Sequence, residues 1–228
     1  MREVQVTRSP VRSGARASDA TKTRIVEAAL DTLKREGIVG TSARAIAQTG
    51  GFAPGLLFYH FGSVTDVLVA AVEELSQRRV ERYAQRLDGV DTLAELAKVA
   101  RDLHAEDMAE GHVTVLVQML AATASDPDLA ARLLRIFEPW IALVHRTLER
   151  VIGDSPFRRL LPAEDGAYAL TALFLGLELL THLGGDVDRD EQLFDAFDRI
   201  ATVVGPLLGL SGVIRPVVDP GPGSAPGT

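Results

Sequence analysis

The sequence predicts an all-α protein of nine helices. Every sustained apolar period in the chain has helical spacing. No stretch alternates apolar and polar residues with period two, and no Asn-Gly or Asp-Gly turn joins two β-branched runs. Capping residues and glycine stops recur at the ends of the periodic segments.

The elements follow in order. Ile25, Ala29 and Leu33 place a first helix over 20–36, with Gly37 as its left-handed exit. Thr41 or Ser42 caps a short second helix that turns Ile46 and Ala47 inward and breaks at Gly50-Gly51. Pro54 opens a third, carrying Leu57, Phe58 and Phe61 on its core face. Ser63 caps a fourth helix that ends near Asp88-Gly89, and Thr92 to Glu95 forms a capping box for a fifth reaching about Ala109. Val113 to Ala124 is a mostly apolar sixth helix. Asp126-Pro127 opens a long seventh, with Leu129, Leu133, Phe137, Trp140, Val144 and Leu148 on one stripe, a kink expected at Pro139 and an end at Gly153. Ala163 to Leu183 is apolar nearly all round and stops at Gly184-Gly185. Asp188 and Glu191 frame the start of the last helix, whose stripe is Leu193, Phe197, Ile200 and Val204.

Composition narrows the class. The 228 residues include no cysteine, which excludes a disulfide framework and a thiol nucleophile. Net charge is −7, but its distribution is uneven. Residues 1–62 carry nine Lys and Arg against five Asp and Glu, a net +4; residues 63–228 carry 15 against 26, a net −11. A basic head on an acidic body suggests a nucleic-acid contact at the head. The N-terminus has no apolar run after its positive charges, and the greasiest stretch, 167–183, contains Glu178 and His182. A cytoplasmic location is the expectation. Residues 1–18 read as a flexible basic arm, 19–66 as the head, 67–210 as the body, and 211–228 as a disordered Pro/Gly-rich tail.

Ser42 to Phe61 has the logic of a helix-turn-helix. Ala47, Gly50 and Gly51 let two short helices cross closely, and the second offers its N-terminus and outer face to a groove. A plain helical hairpin fits the same pattern. The stretch Thr23 to Leu30, then Gly37, then Thr41 to Ala47, then Gly51 to Phe61 resembles the TetR/AcrR family of transcriptional regulators in residues and in spacing. The motif match covers residues 20–68; residues 69–210 agree only as a helical layout of the right length.

The resemblance implies a DNA-contacting set of Thr41, Ser42, Arg44, Pro54, Gly55, Leu56, Tyr59, His60, Ser63 and Thr65. Arg44 is placed to reach a guanine edge or a phosphate, and Tyr59 and His60 to meet the backbone. Two positions depart from the family: Val64 stands where a Lys is frequent, with Ser63 and Thr65 as substitutes, and Phe58 where Tyr is usual. Pro54, Gly55 and Leu56 carry no side-chain donor or acceptor, so direct readout rests on apolar contact with thymine methyls and on Arg44. Arg8, Arg12, Arg16, Lys22 and Arg24 add non-specific phosphate attraction, unless the arm is only a solvated tail.

The resemblance further implies a homodimer that binds a palindromic double-stranded DNA operator and senses a small, largely apolar effector. The eighth helix supports dimerisation independently, because a helix apolar all round must be buried all round. The interface set is Leu170, Leu173, Leu177, Leu180, Leu193, Phe197, Ile200 and Val204; the alternative is a central helix of a monomer. Polar residues embedded in apolar stretches, His104, Gln118, His145, Glu178 and His182, mark a pocket whose walls would be Met108, Met119, Trp140 and Phe174. Each of these also fits as core or surface. A buried Glu178 needs a partner, and His182, one turn on, is the nearest candidate. His104 to Asp107 reads as a polar surface cluster.

No catalytic or metal site is expected, and no cofactor. The five histidines form no His-Glu-x-x-His and no repeated Glu-x-x-His, and there is no phosphate loop or Gly-x-Ser-x-Gly elbow. The expected function is a sequence-specific DNA-binding regulator, a repressor released by its ligand. The alternative is a ligand-binding or protein-interaction module with weakened specific DNA binding.

Overall fold

The computed structural model describes residues 11–207 except 125, 154, 160, 185 and 186, and within that range the side chains other than those of 11–17, 127, 156, 157, 187, 204 and 207. The described residues form nine α-helices and no strand: α1 Val11–Gly40, α2 Ala43–Gly50, α3 Pro54–Phe61, α4 Val64–Leu87, α5 Leu93–Glu110, α6 His112–Thr123, α7 Pro127–Ile152, α8 Ala163–His182 and α9 Val187–Leu207. A single 3-10 turn, Pro156–Arg159, joins α7 to α8.

Local signals set most boundaries. Ser42, Ser63 and Thr92 each accept a backbone N–H from three residues on, and Glu95 closes the capping box at Thr92. Gly37 (φ 70°) breaks helical geometry inside α1 where the exit was expected. Helical backbone reaches back to Val11, earlier than the expected start near 20. No proline interrupts residues 11–36, and the one glycine, Gly14, costs only about 1 kcal/mol in a helix. Residues 1–10 of the expected arm and the tail 211–228 lie outside the described residues. α7 runs through Pro139, which sits on its exposed side, where water can serve the carbonyl that proline leaves without a donor.

One apolar core joins the head to the body. Ile25, Leu33, Ile46 and Leu57 from α1, α2 and α3 pack with Val67 and Val72 of α4, Val115 and Met119 of α6, and Leu129 and Leu133 of α7. A second core gathers Tyr83, Leu87, Leu103, Leu143 and Val151, with Trp140 and Phe174 against it. A third joins α7 to α8 through Leu148, Ile152 and Ala167. Among the described residues no single helix is long and apolar enough to cross a membrane.

Candidate DNA-binding head and ligand cavity

The head is built around a close helix crossing. A Cβ on Gly50 would stand 2.2 Å from the Phe52 ring and 2.9 Å from Ala28 Cβ, so only glycine fits. Gly51 (φ 66°) then turns the chain in the left-handed region. Thr32 donates to Thr49 Oγ1 at 2.9 Å, and Arg35 donates to the same oxygen at 2.9 Å, tying α2 to α1.

This crossing leaves Ser42, Arg44, Pro54, Gly55 and Tyr59 exposed, with Leu56 and His60 half-buried beside them. Tyr59 is 83% exposed and meets His60 edge to face at 5.0 Å between ring centroids. Thr41 departs from the expected contact set: it is buried, and its hydroxyl donates to the Gly37 carbonyl at 2.7 Å to close the end of α1. Phe58 departs from the expected core face, because it is 49% exposed while Leu57 takes the buried position. Ser63 is committed to capping α4 and also donates to Asp66. Thr65 is half-buried beside it. Asp66 in turn pairs with Arg132 of α7 at 2.8 Å, which fastens the start of α4 to the body.

The body holds a cavity of about 660 Å³ between α4, α5, α6, α7, α8 and α9. Its wall is apolar over most of its surface, with Leu96, Leu133, Ile136, Phe137, Leu170 and Phe197 among the lining. One polar patch interrupts it, where Ser76, Arg79, Tyr83, His112 and Glu178 reach the wall. Of the nine expected pocket residues, Trp140, Phe174 and Glu178 line this cavity. His104 lies behind the wall against Phe174 and Phe194, with Nε2 3.4 Å from Asp190 Oδ2. Met119 is fully buried in the head-side core, and Gln118 approaches Gly37. Met108 is half-buried on α5 outside the lining. His145 faces Glu149 at 3.9 Å beside a separate shallow pocket, and His182 is exposed at the end of α8.

The polar patch corrects two expectations. The partner of Glu178 is Arg79, whose Nη2 lies 3.4 Å from Glu178 Oε1; the His182 side chain is exposed. Asp107, expected on a surface, is 1% exposed and anchors the patch. It accepts from Arg79 Nε at 3.1 Å and Nη2, from the Tyr83 hydroxyl, and faces His112 Nδ1 at 3.1 Å. Burial alone would raise the Asp107 carboxyl; donors from His112, Arg79 and Tyr83 overcome it and hold it well below the usual range. Burial, only partly offset by Arg79, pushes the Glu178 carboxyl up to about 8. The Arg79 guanidinium lies over the Trp140 ring at 5.0 Å, and Trp140 Nε1 donates to Ser76 Oγ at 2.7 Å.

Arg79, Tyr83, Asp107 and His112 went unread as a site in the sequence. The signal that held them is a positive and a phenolic residue one turn apart on α4, facing an acid near the end of α5. Nothing in one sequence says that those faces meet.

The expected dimer residues divide between two surroundings. Leu170, Leu177, Leu193 and Phe197 are half-buried and line the cavity; Leu173 and Ile200 line it while standing about half exposed. Leu180 is 65% exposed, and the Val204 side chain lies outside the described residues. α8 is therefore not buried all round within one chain. No group of three or more potential metal ligands occurs among the described residues.

A helix-turn-helix head is thus joined through one core to a helical body with an apolar cavity. Residues 25–72 match the family described as bacterial regulatory proteins, tetR family. An HTH-type transcriptional regulator of Mycobacterium bovis is 23% identical over 139 residues, 61% of this chain and 71% of that protein. The regulator UidR of Escherichia coli is 26% identical over 113 residues, half of this chain and 57% of UidR. A TetR transcription regulator from Haloarcula marismortui superposes with a TM-score of 0.67 at 16% identity, covering 81% of this chain and 97% of that one. Salmonella enterica GusR superposes with a TM-score of 0.62 at 21% identity, covering 80% and 96%. Over residues 25–72 the chain is thus similar to the helix-turn-helix segment of the TetR family, and its fold is that of the solved regulators.

Proposed function

We propose that this regulator is a homodimeric repressor that leaves a palindromic operator when a small, largely apolar molecule occupies its cavity. One observation carries the reading: Val72, Val115 and Leu133 line the cavity and also belong to the core that seats Ile25, Ile46 and Leu57 under the DNA-binding helices. A ligand that prefers one packing of these side chains shifts the head with it. α4, which runs from the head into the cavity wall, is the lever.

In this reading α3 enters the major groove, Ser42 and Arg44 approach from the start of α2, and Tyr59 and His60 meet the backbone. The exposed apolar face of α8 and α9, with Leu173, Leu180 and Ile200, pairs with its copy in a second chain. The domain division 19–66 and 67–210 belongs to the same proposal.

The test is selection of bound fragments from random duplexes, followed by affinity against salt. An enriched palindrome, bound far above random DNA and lost on adding an apolar ligand, supports the reading. Weak, salt-sensitive binding with no enrichment overturns it in favour of a head without specific readout.

A further inference from the structure

The cavity's charge arrangement points to a class of ligand. Outside the cavity lining Glu110 pairs with Arg82 at 2.7 Å and also faces His112 Nε2 at 3.1 Å. Inside remain one guanidinium, Arg79; two carboxyls, Asp107 and Glu178; and one imidazole, His112. These come from α4, α5, α8 and α6. Arg79 cancels only one of the two carboxyls. Arg79, Asp107 and Glu178 together are neutral only while Glu178 holds a proton.

Asp107 is enclosed by its donors, and Arg79 spends Nε and Nη2 on it. Glu178 has one long contact to Arg79, faces the Asp107 carboxyl, is more than nine-tenths buried and lines the cavity. It is thus the one carboxyl of the group that a ligand in the cavity can reach. An entering cation takes over the charge that the extra proton supplies. A neutral molecule supplies nothing, and an anion meets two carboxyls and a guanidinium already engaged. The rings of Tyr83, Trp140 and Phe174 line the same wall, and aromatic faces attract cations.

Resting on the reading of the cavity as the effector site, we propose that the effector is a lipophilic monocation whose positive head pairs with Glu178 while its apolar body fills the cavity. Binding replaces one proton of the buried group, so the proton leaves to solvent as the cation enters. This follows because burying a second uncompensated charge in a low-dielectric wall is unfavourable.

The experiment is isothermal titration calorimetry of the purified full chain with three probes of one chain length: decyltrimethylammonium, decanoate and decanol. The expected result is that the cation binds about tenfold or more tighter than decanol, with decanoate weakest. Titration near pH ~7 in buffers of different ionisation enthalpy is expected to show close to one proton released with the cation and none with decanol. Glu178→Gln is expected to weaken the cation by about tenfold and leave decanol within about twofold. Decanoate or decanol binding as tightly as the cation to the wild-type chain overturns the proposal, as does cation binding without proton release. If decanol binds and the cation does not, the cavity reading stands and the cation proposal falls. If none of the three binds, the cavity is not the effector site and both fall.

Discussion

Glu178 of α8 lies 3.4 Å from Arg79 of α4, and Arg79 is at the same time forked onto Asp107 of α5. One guanidinium therefore holds three helices around the polar corner of an otherwise apolar cavity.

Removing that guanidinium is expected to be severe. Arg79→Met leaves two buried carboxyls without their cation and should destabilise the chain by about 3–5 kcal/mol. Arg79→Met with Asp107→Leu removes charge from both sides and should recover part of that loss, a non-additivity that denaturant unfolding of the two single variants and the double variant measures. Equal stability of all three variants and the wild type would show that the cluster is not structural.

Stability is expected to fall as pH rises between about 4.5 and about 8. Glu178 has its carboxyl raised to about 8 from an ordinary 4.5, so in that window the folded chain holds a proton that the unfolded chain has released. The contribution is complete below the lower value and lost as pH passes the upper. Asp107, held low, acts in another window: its contribution is present above the ordinary value of 3.8 and lost as pH falls further. Glu178→Gln should remove the first slope alone. Denaturant midpoints near pH ~5 and ~9 check this, with the wild type expected to lose more than the variant across the interval.

Gly50→Ala should damage the head at its crossing. The new methyl would meet the Phe52 ring and Ala28 at distances that real side chains do not show, a cost of about 1–3 kcal/mol. Thermal melting reads the stability loss, and DNA binding should weaken further because α3 is displaced. A variant that melts and binds as the wild type does would contradict the packing described at this turn.

Arg44 is exposed at the first turn of α2. Arg44→Ala should weaken operator binding by about 1–3 kcal/mol and relax one base position if Arg44 reads a guanine edge. If it meets phosphate, the salt dependence of binding should instead drop by about one charge, uniformly across sequences. Affinity that is unchanged at all salts removes Arg44 from the interface.

Leu180 is 65% exposed, so replacing it should leave the single chain's packing intact. Leu180→Glu is expected to shift the chain from dimer to monomer in sedimentation, at nearly unchanged helicity. A wild-type chain that sediments as a monomer, or a variant that stays dimeric, refutes the assignment of this face.

The helices were legible in the sequence because their determinants are local. A cap and its N–H acceptor, a left-handed glycine or a proline at a first turn lies within three or four residues of what it controls, as at Ser42, Gly51, Pro54 and Thr92. The head was legible for the same reason: its crossing is written in Gly50 and Gly51, a few residues from both helices that it joins. Which side chains face inward was less so. Leu57 and Phe58 are adjacent and both apolar, and only the placement of α3 against α1 and α4 decides that Leu57 is buried and Phe58 is not. The site in the body lay further out of reach. Arg79 and Asp107 are 28 residues apart, and Arg79 and Glu178 are 99 apart. Local rules offered Glu178 the histidine one turn away, whereas a buried carboxyl takes whichever cation the packing of distant helices brings to it. The sequence by itself determined the helices, the helix-turn-helix head and the apolar character of the body; the tertiary structure alone decided which charges share the cavity wall, because that depends on contacts between helices that no local pattern encodes.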